Sequence, residues 1–152
     1  MTDRMIVAIF NNTNAAYDAA GALKRLKEAE QVDLKVNAGA MVKKDDLGNV
    51  SVLETKDSPL RGTAIGTLTG ALIGLLGGPA GSALGATVGA TGGLTGDAVA
   101  AALKSDFVDS VTQQMRPGTT AIIVEADEKS TAPVDNIVAV GGGRVYRQAI
   151  EA

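Results

Sequence analysis

Met5-Ile6-Val7-Ala8-Ile9-Phe10 is an unbroken apolar run. A strand with one wet face alternates apolar and polar side chains, so a short continuous run predicts a central strand buried on both faces. The rest of the chain must supply its neighbours. Asn11 to Asn14 offer caps, and from Thr13 onward Ala16, Ala19, Ala20, Leu23 and Leu26 recur at helical spacing, with Lys24, Arg25, Lys27 and Glu28 on the other side. That pattern predicts an amphipathic helix. Val32, Leu34, Val36, Ala38, Ala40 and Val42 then alternate with Asp33, Lys35, Asn37, Gly39 and Met41, the period of a long strand with one buried face. A further strand is predicted over Val50 to Thr55. Between the two, Lys44-Asp45-Asp46-Leu47-Gly48-Asn49 has the residues of a hairpin turn, with Gly48 suited to positive φ.

Toward the C-terminus, Asp97 is placed to cap a helix carrying Val99, Leu103, Phe107, Val111 and Met115, which Arg116-Pro117-Gly118 ends. Thr119 to Ala126 reads as a strand around Ile122-Ile123-Val124. Ser130 or Thr131, followed by Pro133, starts a short helix through Val134, Ile137 and Val138 that Gly141-Gly142-Gly143 stops, and Val145 to Gln148 is the last strand. With residues 58–96 set aside, the order is strand, helix, strand, strand, helix, strand, with a short helix and strand appended. This order predicts one α+β domain over residues 1–152, a ferredoxin-like sandwich with helices on a single face of the sheet.

Composition narrows the chemistry. The chain has 152 residues, 19 of them Gly, with no Cys, His or Trp and 3% aromatics. It therefore cannot build a Ser-His-Asp triad, a Cys nucleophile, a disulfide or the usual nitrogen- and sulfur-ligated metal sites. A formal charge of −3 and few aromatics argue against nucleic acid as partner. The start of the chain lacks the pattern of a secretory signal, which predicts a cytoplasmic protein. The expectation is a protein without enzymatic activity, cofactor or identified small-molecule substrate.

Residues 58–96 stand apart. No charge falls between Arg61 and Asp97, and glycines recur at every fourth position as Gly62, Gly66, Gly70, Gly74 and again as Gly81, Gly85, Gly89, Gly93, divided by Gly77-Gly78-Pro79. Each helical Gly costs about 1 kcal/mol relative to Ala, so a compensating contact is required. A row of glycines on one helix face lets a second backbone approach closely. Ile65, Leu68, Leu72 and Leu75 keep helical spacing in the first arm, and Leu84 and Val88 are the larger side chains of the second. The segment reads as an inserted glycine-zipper hairpin of two helices, with those glycines and apolar residues forming a homo-oligomer interface. Each arm, at about 16 residues, is roughly 24 Å long, short of the about 20 residues of a membrane span. Self-assembly into a ring, shell or larger particle is the first reading, and insertion of the hairpin into a bilayer is the alternative.

The turn at Lys44-Asp45-Asp46-Leu47-Gly48, the zipper from Gly66 to Gly74 running into Leu75-Leu76-Gly77-Gly78-Pro79-Ala80-Gly81, and the strand entry Arg116-Pro117-Gly118-Thr119-Thr120-Ala121 together resemble the bacterial domain-of-unknown-function family 1269. The resemblance spans nearly the whole chain. It implies a compact unit with an inserted hairpin, a membrane label in some members and a loose link to stress responses, and it brings no catalytic residues.

Other polar motifs read as ordinary structure. Gly141-Gly142-Gly143-Arg144 follows a helix and precedes a strand, the reverse of a phosphate-binding loop, and is a turn. Asp45-Asp46-Leu47-Gly48-Asn49 lacks the acidic spacing of a calcium loop. Asp97, Asp106 and Asp109 fit a solvated helix face, and Tyr17 and Tyr146 fit half-buried packing positions.

Overall fold

A computed structural model of the chain describes residues 2–28, 34–53, 67–76 and 103–150. Nine elements follow in order: β1 (Thr2–Phe10), α1 (Thr13–Glu28), β2 (Leu34–Lys44), β3 (Val50–Val52), α2 (Thr67–Leu76), α3 (Ser105–Gln114), β4 (Thr120–Glu128), α4 (Ala132–Val140) and β5 (Arg144–Ala149). The fold is α+β, with a five-stranded sheet ordered β3-β2-β4-β1-β5 and every neighbouring pair antiparallel.

β1 is the buried strand that its apolar run predicts. It pairs with β4 from Thr2 opposite Glu128 to Phe10 opposite Thr120, and with β5 on its other side. All of Met5 to Phe10 are 6% exposed or less. Met5, Val7 and Ile9 face one core, which they share with Ala40, Val42, Ala121 and Ile123 of the sheet, and α2 and α3 cover it with Leu68, Leu72, Ile73, Leu76, Phe107 and Val111. Ile6, Ala8 and Phe10 face the opposite core, where Met41, Ile122 and Val124 meet Ala16, Ala19, Ala20 and Leu23 of α1 and Val134 and Val138 of α4. The expectation of helices on a single face is thereby corrected. Continuous apolar strands cannot leave either side wet, so the sheet is held between two helical layers.

The strand β2 departs from strict alternation. Its register against β4 shifts between Val36 and Ala38, and a bulge of this kind adds one residue and reverses which side chains face which way. Leu34 and Val36 pack on the α1 side, whereas Ala40 and Val42 pack under α2 and α3. One apolar series thus serves two cores. Beyond the bulge Ala38 to Val42 are all buried, and a Cβ on Gly39 would stand 3.0 Å from the Ile123 carbonyl oxygen.

The turn after β2 forms as expected: Gly48 takes φ +85°, and the Asp45 carboxylate accepts from the N–H groups of Leu47 and Asn49 at 2.9 Å. Asn12 caps α1, its Oδ1 accepting from the Ala15 N–H at 2.7 Å. Two boundaries differ from the sequence reading. The strand β3 spans only Val50–Val52; residues 54 and 55 lie outside the described residues. Lys104 is extended, with ψ 134°, so α3 starts at Ser105, after Leu103, and Asp97 and Val99 lie outside the described residues. In place of an acidic cap, the Lys104 N–H donates to Gln148 Oε1 at 2.8 Å.

After α4, the glycine turn is shaped by Phe10. Gly142 has φ +72°, and a Cβ on Gly143 would lie 2.7 Å from the Phe10 ring and 2.9 Å from the Ile9 carbonyl oxygen. Neither neighbour is a loose side-chain end, so Gly143→Ala overpacks the site. We expect a loss of about 1–3 kcal/mol, read as a fall in Tm on the order of 5 °C by circular dichroism.

Candidate functional site

Of residues 58–96 the described part is α2, a helix without a charged residue. Leu68 (6% exposed), Leu72 (0%), Ile73 and Leu76 are packed into the core of the subunit. Leu68 and Leu72, expected at an interface between subunits, are therefore used within the fold. Gly70 and Gly74 are also buried, and Leu75 is 56% exposed. The helix is pinned to the sheet by one polar contact: Thr69, fully buried, donates from its Oγ1 to Glu125 Oε2 at 2.7 Å. The remaining expected interface residues, Gly62, Ile65, Gly66, Gly81, Leu84, Gly85, Val88, Gly89 and Gly93, lie outside the described residues.

Two groups of arginines occupy opposite ends of β1. At its start, Glu128 of β4 has a side chain with no exposure and receives Arg147 in a forked pair, Nε at 2.8 Å and Nη2 at 3.0 Å. Arg147 also reaches Asp135 in the first turn of α4 at 2.6 Å, and Arg4 stands 3.5 Å from Glu128. Burial pulls the Arg147 guanidinium down in pKa, but the hydrogen bonds and charges of Glu128 and Asp135 outweigh it and leave the group above its ordinary value. This cluster ties β4, β5 and α4 together around the buried Glu128.

At the far end of β1 lies an open pocket of about 170 Å³. Asn11, Gln114, Arg116, Thr119 and Arg144 supply polar side chains to it, and Gly142 supplies backbone. Arg144 is held by Gln114, whose Oε1 accepts from Nη1 at 2.6 Å. Arg116 comes from the turn after α3, where Gly118 takes φ +89° and the Arg116 carbonyl accepts from the Thr119 hydroxyl at 2.7 Å. The N–H groups of Gly142 and Gly143 are bonded back to Ala139 and Val138 of α4 at 3.0 Å. The glycine run is therefore a turn, and its backbone donors are occupied.

Among the described residues, no group of three or more Asp or Glu is placed to hold a metal ion. Asp106 and Asp109 are exposed, and Tyr17 and Tyr146 are half-buried. The sequence reading does not see the Glu128–Arg147 cluster. It weighs Arg144 beside the glycine run as a phosphate contact and prefers a turn, without Arg116 or Gln114, which come from a separate element.

Residues 60–152 match the model of a family described as "Protein of unknown function (DUF1269)", and the chain belongs to that family. No curated protein and no solved structure matches it.

Removing one partner from a buried ion pair leaves the other charge desolvated. Glu128→Ala should cost about 3 kcal/mol, and the loss should shrink when Arg147 is also replaced by Met. Urea denaturation of the two single variants and the double variant measures that coupling.

Proposed function

We propose that this DUF1269 protein is a non-enzymatic, self-assembling structural protein whose glycine-zipper segment makes the contact between copies. The observation that carries the reading is α2: an uncharged helix with glycines at positions 70 and 74 that fills its own core with four large side chains and still presents Leu75 outward. A helix apolar on all sides is normally covered on all sides. Gly70 and Gly74 are already buried within the subunit, so among the described residues of α2 the outward contact falls to Leu75. Leu75 is the described residue that best marks the outward side.

The fold reading is compatible with this role. The element order puts β3 and α3 in the core with α4 and β5 appended. The strand order corrects this, since β5 pairs with β1 and β3 is at the edge. We infer a ferredoxin-like core of β1, α1, β2, β4, α4 and β5, supported by the antiparallel order β2-β4-β1-β5. On this reading α2 and α3 form an added layer on the second face.

Insertion into a bilayer is the competing reading. Among the described residues no helix is long and apolar enough to cross a membrane, and α2, at 10 residues, is about 15 Å long. We expect light scattering after size exclusion in detergent-free buffer to give a discrete mass well above the 15.3 kDa of one chain. Leu75→Glu should shift the mass toward one chain while changing stability by no more than about 0.5 kcal/mol, as for an exposed position. A monodisperse wild-type monomer sinks the assembly reading. Recovery solely in a membrane pellet that resists carbonate extraction favours the bilayer instead.

A further inference from the structure

Arginines at the two ends of β1 are treated differently. Arg4 and Arg147 are neutralised by Glu128 and Asp135. Arg116 and Arg144 converge on one pocket, yet among the described residues neither takes part in a salt bridge and no carboxylate lines the pocket. The chain as a whole is acidic, so this is a local reversal of sign. Holding two guanidiniums around one space without a counter-charge is unfavourable, and an anion placed there relieves it.

We propose that the pocket binds a phosphate group, either free or as the monoester of a small molecule. Arg144 is pre-oriented by its 2.6 Å contact to Gln114, which reduces the ordering cost of a forked contact to phosphate oxygens. Arg116 adds the second guanidinium from the turn after α3, and Asn11, just before the Asn12 cap of α1, adds an amide donor. Gly142 lines the pocket in a left-handed turn, a position at which a side chain would be both strained and in the way. Among the described residues Ile9 is the one apolar side chain in the lining, so hydrophobic ligands find little to hold there. The volume, about 170 Å³, is on the order of five water molecules, the scale of one phosphate group rather than of a nucleotide base.

Equilibrium dialysis of the full chain against radiolabelled orthophosphate tests this independently of assembly state. Sodium chloride holds the ionic strength constant. The expected result is saturable binding of one phosphate per chain with a Kd on the order of 1 mM, displaced by glycerol phosphate. Arg116→Gln and Arg144→Gln should each weaken it by about tenfold, with unchanged melting temperatures because both side chains are exposed. Leu75→Glu, which is not among the lining residues, should bind as the wild type does. The proposal is overturned by the absence of saturable binding, by wild-type binding in both arginine variants, or by binding that phosphatidic acid vesicles show and free phosphate does not.

Discussion

The fold depends on keeping both faces of β1 and β4 dry at once. Met5 to Phe10 and Ala121 to Val124 are buried without a break, and in an antiparallel pair successive side chains go to opposite sides. One helical layer covers only half of them. The residues α1 and α4 contribute are enough for Ile6, Ala8, Phe10, Ile122 and Val124; Met5, Val7, Ile9, Ala121 and Ile123 need a second cover, and α2 with α3 provides it. Each large side chain so buried is worth about 1.5–3 kcal/mol, against a total stability of about 5–15 kcal/mol for a domain. The uncharged glycine-bearing helix is therefore required by the fold itself before any role between copies is considered.

That requirement explains which parts of the architecture were legible in the sequence. The strand β1 and the helix α1 are written in local periodicity; the start of α1 and the buried stretch of β1 follow from it, but β1 begins at Thr2, ahead of the apolar run at Met5. The alternation of β2 misleads because a bulge near Asn37 reverses its phase, and a bulge belongs to the pairing with β4 rather than to β2 alone. Leu68 and Leu72 look like interface residues when α2 is read in isolation, since nothing in helical spacing says that the covering surface is the chain's own sheet. The place of α3 was legible only in part. Phe107 and Val111 announce a buried stripe, but the extended Lys104 that sets its start answers to Gln148 on a distant strand.

Charged residues were the least legible, for a related reason. In a strand or turn, Glu128, Arg147, Arg116 and Arg144 each read as solvent-facing. Glu128 stands opposite Thr2 and Arg147 opposite Ile6 on the two sides of β1, so the reach of the arginine across β1 makes the buried pair, and the joining of two turns brings Arg116 and Arg144 to one pocket. Burial separates the two outcomes: the first pair is closed and structural, whereas the second is open and faces water.

The two proposed activities also separate physically. Contact through α2 is uncharged, so its strength comes from apolar area and close packing and is nearly indifferent to moderate salt, or strengthened by excluded salts. Attraction of an anion to two exposed guanidiniums is screened over a Debye length of about 8 Å at physiological ionic strength and weakens as salt rises. Ionic strength is thus a variable that moves one activity and leaves the other in place. A molecule whose assembly and anion binding fell together with salt would be using charge at the subunit contact, and the uncharged helix would then not be the surface that joins the copies.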